Sequence, residues 1–115
     1  MWRDDSNLLD MLLAGRKVIQ FSEGADRARF ERDELLQSAI LRQLGIIGEA
    51  ARRVSEETRK RHPEVPWADI IGMRNRLIHD YTRVDLVRVW DTVRDDIPAL
   101  IERLAPLVPP EESVE

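Results

Sequence analysis

An all-α fold, an antiparallel bundle of four to five helices, is the architecture this sequence predicts, and three observations predict it. Apolar residues recur at three- and four-residue spacing along most of the chain, the mark of helices with one buried face. No stretch shows the period-two alternation of a half-buried strand. The breaks between periodic stretches are short, and short connections make neighbouring helices antiparallel.

Asp5 and Ser6 offer an N-cap for a first helix, with Leu8, Leu9, Leu12, Leu13 and Ile19 as its apolar stripe. Ser22-Glu23-Gly24 interrupts it, and a short turn or helix around Asp26 to Phe30 follows. Asp33 can cap a long second main helix that runs to about Arg61. Its stripe is Leu36, Ile40, Leu44, Ile47, Ala50 and Val54, widened by Leu35, Ala39 and Ala51. Gly45 and Gly48 lie inside it, each costing about 1 kcal/mol against alanine; they imply close approach by another helix, within the bundle or across a dimer. His62-Pro63-Glu64-Val65-Pro66 breaks the helix, since proline lacks a donor and restricts the residue before it. Pro66 suits the first turn of a helix from Trp67 to about His79. Tyr81-Thr82-Arg83-Val84 is a connection. Asp85 caps a last helix with Leu86, Val89, Trp90, Val93, Ile97, Leu100, Ile101 and Leu104 in one phase, and Pro98 inside that phase predicts a kink or a restart. Residues 1–108 form one domain, and 109–115 read as a flexible acidic tail.

Composition narrows the function. The chain of 115 residues is 43% hydrophobic and 35% charged, enough apolar residue to build a core. It has no cysteine, which removes thiolate metal sites, thiol nucleophiles and redox pairs. His62 and His79 are its two histidines, too few for a histidine-only metal cage. No apolar run is long enough to span a bilayer, and Met1 to Asp5 carries no signal-peptide core, so the expected address is the cytoplasm. The net charge of -4 argues against coating nucleic acid by bulk charge. Positive charge is nevertheless local: the balance is +3 from Arg52 to Arg61, +2 from Gly72 to Arg83 and -5 from Asp91 to Glu115.

The densest polar cluster is Arg74-Asn75-Arg76-Leu77-Ile78-His79-Asp80-Tyr81. Arg74 and Tyr81, seven apart, share a helix face, and Asn75 neighbours His79. Arg74 and His79, five apart, converge only if the helix ends near His79, the arginine reaches round, or two copies face each other. Histidine exchanges protons near neutral pH, and arginine presents a fork that fits phosphate oxygens. That pair matches RNA cleavage by attack of a 2′-hydroxyl on its own phosphate, which needs a base, an acid and a cation but no metal. Asn75 could orient His79 or bind phosphate, and Tyr81 could stack on a base or donate to phosphate. Each residue also has a plainer reading: His79 as a helix-end histidine favoured by the dipole, Arg74 and Arg76 as surface cations, Tyr81 as a core edge. His62 reads as structural, and Trp67 and Trp90 as core.

Arg74-x4-His79-x-Tyr81 resembles the signature of HEPN-domain toxins of the HepT kind. Ile47-Gly48-Glu49-Ala50-Ala51, Pro66-Trp67, Gly72-Met73-Arg74-Asn75 and Val89-Trp90 with Pro98 stand in the order that family shows, so the resemblance covers nearly the whole chain. It implies a HEPN helical bundle, usually a homodimer with the motifs lining a cleft between protomers. Arg74 and His79 would be the catalytic pair of a metal-independent endoribonuclease acting on RNA without a cofactor. Asn75, with Arg76, would supply supporting phosphate contacts. Tyr81 would accept AMP from a small MntA-like nucleotidyltransferase antitoxin, placing bulk and negative charge beside Arg74. A second expectation of a different class is a non-catalytic HEPN dimer that binds nucleotide or RNA and scaffolds a nucleotidyltransferase.

Overall fold

Helix α1 spans Trp2–Ser22. Its buried face is Leu8, Met11, Leu12, Ala14 and Val18. At 100° per residue that face centres on Met11 and Gly15, so Leu13 lies opposite it and Ile19 at its margin; both are exposed, which corrects the predicted stripe. The helix also starts earlier than Asp5 and Ser6, which sit within it. The structure is a computed structural model that describes residues 2–79 and 83–109, and for Trp2, Ile78 and His79 the backbone alone.

Asp4, near the N-terminus, caps no helix of its own but braces Ser55, the N-cap of another helix. Its Oδ1 accepts the Ser55 backbone N–H at 2.9 Å, while Oδ2 accepts from the Ser55 hydroxyl at 2.6 Å and from the Thr58 hydroxyl. Asp4 is buried. Burial alone would raise its pKa, but the hydrogen bonds from Ser55 and Thr58 outweigh it and hold the carboxyl below its ordinary value.

A short helix α2, Arg27–Arg32, is capped by Asp26, whose side chain accepts from the Arg29 N–H at 2.8 Å. Asp33 ends α2 and caps α3, Glu34–Arg53, accepting from the Leu36 N–H at 3.0 Å. That contact leads the effects that lower the Asp33 pKa. Ile40, Leu44, Ile47, Ala50 and Ala51 of α3 are buried as expected. Leu35 is not; it is 84% exposed.

Helix α3 ends at Arg53, well short of Arg61. Val54 and Ser55 are extended, and the Ser55 hydroxyl caps a separate helix α4, Glu56–Arg61, by accepting from the Thr58 N–H at 3.2 Å. Val54 remains buried in phase with the stripe before it, so hydrophobic periodicity runs through the break without registering it. Asp4 and Asn7 at the start of α1 meet Ser55 and the Arg53 carbonyl at the end of α3, so these two helices run antiparallel.

His62 closes α4, donating its N–H to the Thr58 and Arg59 carbonyls. Its own carbonyl accepts from the Trp67 indole at 2.9 Å, and its Nδ1 lies 3.4 Å from Glu64 Oε2. This is the structural role expected of it. Helix α5 runs Trp67–His79, with Pro66 just outside it and the Pro66 carbonyl accepting from Ile70 N–H at 3.1 Å. Helix α6, Leu86–Asp91, is capped by Asp85, which accepts from Arg88 N–H at 3.2 Å.

Between α6 and α7, Ile97–Leu104, the chain widens into a π turn over Thr92–Asp96. The Ile97 N–H donates to the Thr92 carbonyl, five residues back. Pro98 explains it: its ring cannot sit against the carbonyl four residues earlier and it has no N–H to give. The apolar phase survives, so Val89, Trp90, Val93, Ile97, Leu100 and Leu104 all reach the core. A 3₁₀ turn, Ala105–Leu107, follows. Phe30 of α2 stacks on Trp90 at 5.3 Å between ring centroids, and the Arg94 guanidinium lies 5.9 Å from the Trp90 ring. Both Trp67 and Trp90 are core residues. Helix α3 packs on α1 on one side and on α5 on the other. The predicted tail lies, apart from Pro109, outside the described residues.

Candidate active site at the crossing of α3 and α5

The site begins with a glycine. Helix α5 crosses α3 so closely at Gly48 that a Cβ built there would lie 2.1 Å from Arg74 Cβ, 2.6 Å from Arg74 Cγ and 3.3 Å from Arg74 Cα. Only a residue without a side chain lets the root of Arg74 rest on the α3 backbone. Gly45, one turn earlier, has nothing within 4 Å of the same position. Of the two glycines expected to mark a helix approach, Gly48 does so inside the chain and Gly45 does not.

Resting on Gly48 delivers the Arg74 guanidinium to the next residue of α3. Arg74 Nη2 lies 2.7 Å from Glu49 Oε2. The other carboxylate oxygen, Oε1, meets Arg52 Nη2 at 2.9 Å and Arg53 Nε at 3.2 Å. Three guanidiniums thus surround one carboxylate, and the cluster keeps a net positive charge. The Arg74 side chain is 23% exposed and that of Glu49 25%, whereas those of Arg52 and Arg53 are mostly open to solvent. The Arg52 hydrogen bond is the main cause holding the Glu49 carboxyl below its ordinary pKa, with the charges of Arg52, Arg74 and Arg53 acting the same way against partial burial. The same bond raises Arg52.

Arg74 Nη1 donates to Asn75 Oδ1 at 3.3 Å. Asn75 and Arg76 are exposed. Two residues on a helix stand about 200° apart, so Arg76 points away from Arg74, into a groove between α5 and the α6–α7 arm. Arg83, Arg88 and Arg103 share that groove, whose floor includes Leu44, Ile47 and Ile70. The structure therefore brings together Arg74 and Asn75 with Glu49, and sets Arg76 in an arginine-lined groove that Asn75 also lines. Helix α5 is described as far as His79, whose side chain, with the whole of Asp80 and Tyr81, lies outside the described residues. Among the described residues no three His, Asp or Glu side chains gather as a metal cage, and no helix is long and apolar enough to cross a membrane.

Sequence reasoning gave Glu49 no role of its own. The signal was present: an acid directly after an interior glycine, with arginines three and four residues on, will gather cations on the face where another helix touches.

A helical bundle whose described polar cluster is an arginine held against a glutamate at a helix crossing defines a class of proteins, and the comparisons say which. The profile of the family described as Ribonuclease HepT-like matches residues 11–107, and the chain belongs to this family of ribonucleases. A Methanocaldococcus jannaschii protein named as a candidate RNase is 37% identical over 93 residues, covering 81% of this chain and 85% of its own. A Caldanaerobacter subterraneus protein named likewise is 36% identical over 95 residues, 83% of this chain and 85% of its own. A Thermococcus cleftensis protein named probable ribonuclease HepT is 44% identical over 68 residues, 59% of this chain and 62% of its own. No solved structure matches the chain.

Proposed function

We propose that this chain is the toxin of a toxin–antitoxin pair, a metal-independent endoribonuclease in which Arg74 and His79 act on one phosphodiester. The observation that carries the reading is the clamped, partly exposed Arg74 guanidinium at the α3–α5 crossing, on the helix that ends at His79. The RNA 2′-oxygen attacks the adjacent phosphorus and the 5′-oxygen leaves, giving a 2′,3′-cyclic phosphate and a 5′-hydroxyl. Arg74 neutralises the non-bridging oxygens as charge builds on them. His79 moves the proton off the nucleophile or onto the leaving oxygen. Asn75 holds the Arg74 fork, and Arg76, on the other face, takes a flanking phosphate.

The working form is a homodimer in the cytoplasm, because one ideal helix sets Arg74 and His79 about 140° apart and a second protomer can complete the pair. Residues 1–108 are its folding unit and 109–115 its flexible acidic tail. A partner nucleotidyltransferase of the MntA kind silences it. The Tyr81 hydroxyl attacks the α-phosphorus of ATP, pyrophosphate leaves, and the AMP left on Tyr81 puts a negative charge where RNA phosphate would bind.

Expression in cells tests the reading. Arg74→Ala and His79→Ala should each abolish toxicity while the purified variants keep the wild-type melting point. If both remain toxic, the assignment of the pair is wrong. If wild type binds RNA without cutting it, the scaffold reading takes its place. For the partner step, intact mass after incubation with the nucleotidyltransferase and ATP should rise by AMP in wild type and not in Tyr81→Phe.

A further inference from the structure

The Gly48-Glu49 pair is left over once Arg74 and His79 have been given the chemistry, and both residues address Arg74. Gly48 removes the side chain that would hold α5 off. Glu49 then takes the guanidinium that arrives. We propose that Glu49 is the positioning residue of this site: it fixes the direction of the Arg74 fork toward phosphate, and does so because its carboxylate is pinned from the opposite side by Arg52 and Arg53. The proposal rests on the ribonuclease reading above.

The geometry separates this from an ordinary surface ion pair. Glu49 Oε2 is sealed from solvent and lies 2.7 Å from Arg74 Nη2 as an ion pair without hydrogen-bond geometry, so charge is what holds the guanidinium there, while Oε1 carries Arg52 and Arg53. A carboxylate held by one cation would follow it; one held between three cannot. Arg74 is held at three points: its root on Gly48, its Nη2 on Glu49, its Nη1 on Asn75. Glu49 and Asn75 meet two of the three guanidinium nitrogens, and a non-bridging oxygen would take N–H groups beyond those two contacts. Arg52 and Arg53 exceed the single charge of Glu49 and Arg74 adds to them, so the clamp orients the cation without cancelling the local positive field.

The test is a double-mutant cycle on RNA cleavage by the full chain, run well below every variant's melting point. Glu49→Gln keeps the shape and loses the charge; Glu49→Ala removes the clamp. Each should lower kcat, approaching about 10²-fold for a misplaced catalytic group, with a smaller change in KM. Neither should cost anything further in an Arg74→Ala background, because a residue that acts only through Arg74 has nothing left to act on. Free guanidinium ion should restore part of the cleavage to Arg74→Ala and not to Glu49→Gln/Arg74→Ala. A merely structural Glu49 would lose the same activity in both backgrounds, which overturns the proposal. So does wild-type kcat in Glu49→Gln and Glu49→Ala, or a rise, which would make the carboxylate a restraint that substrate must break. If Arg74→Ala itself cleaves normally, it is the ribonuclease reading that fails, not the clamp alone.

Discussion

Replacing Gly48 by alanine should damage the protein in a way that the same change at Gly45 does not. The two glycines are three residues apart on α3, and the intrinsic helix gain from either substitution is about 1 kcal/mol. At Gly45 nothing lies within 4 Å of the new methyl, so that gain should appear as increased stability. At Gly48 the methyl would stand 2.1 Å from Arg74 Cβ and 3.3 Å from Arg74 Cα. Those atoms belong to the root of the side chain and the backbone, so no rotamer change relieves the clash. Helix α5 must move off α3 by about 1.5–2 Å to restore the roughly 3.5–4 Å of carbon contact. Overpacking of this kind costs about 1–3 kcal/mol, and parting the helices also loosens Ile47 and Ile70. The expected net loss is about 1–2 kcal/mol, a fall of roughly 3–8 °C in Tm for a domain of this size. Cleavage should fall further than stability does, since Arg74 moves with α5. Circular dichroism melts of both variants, with RNA cleavage measured beside them, check this. A Gly48→Ala protein as stable and active as Gly45→Ala would refute the close approach. A Gly45→Ala protein that loses stability only at concentrations where it self-associates would place a second copy against that position.

Asp4→Ala should cost about 1–3 kcal/mol, because the buried Thr58 hydroxyl and the half-buried Ser55 N–H lose their acceptor; urea unfolding reads it. Asp4 and Glu49 both have pKa values below their ordinary ones, so each contributes stability above its unfolded pKa and loses it as pH falls through the folded value. Wild type should therefore weaken below about pH 4, and Asp4→Ala should show a shallower acid limb in pH-dependent melts. Phe30→Ala empties a fully buried site against Trp90 and should cost about 3–5 kcal/mol, with the indole fluorescence shifting to the red. Ser55→Ala should cost about 1 kcal/mol as a lost cap, measured in the same urea series.

The fold was legible where apolar spacing and caps agreed. Asp33 and Asp85 cap the helices they precede, a short helix follows Asp26, and the Val89 to Leu104 phase passes through the π turn that Pro98 imposes. It was illegible where a tertiary partner decides. Ser55 starts a new helix because Asp4, far away in sequence, satisfies it. Leu35 and Leu13 belong to apolar patterns yet face solvent, since spacing gives a face its width but not its centre. The site divides in the same way. The Arg74-x4-His79 spacing, read as a family resemblance, points to α5. The partner of Arg74 lies on another helix, and only the α3–α5 crossing reveals it.

Purified protein incubated with a defined RNA in the presence of a chelator, with the ends of the fragments identified, tests the central claim most directly. Cleavage that persists without divalent metal, leaves 2′,3′-cyclic phosphate and 5′-hydroxyl ends, and falls about 10²–10⁴-fold in Arg74→Ala and in His79→Ala is the predicted result. Fragments bearing 5′-phosphates, or cleavage that stays near wild type after the loss of either side chain, would contradict it.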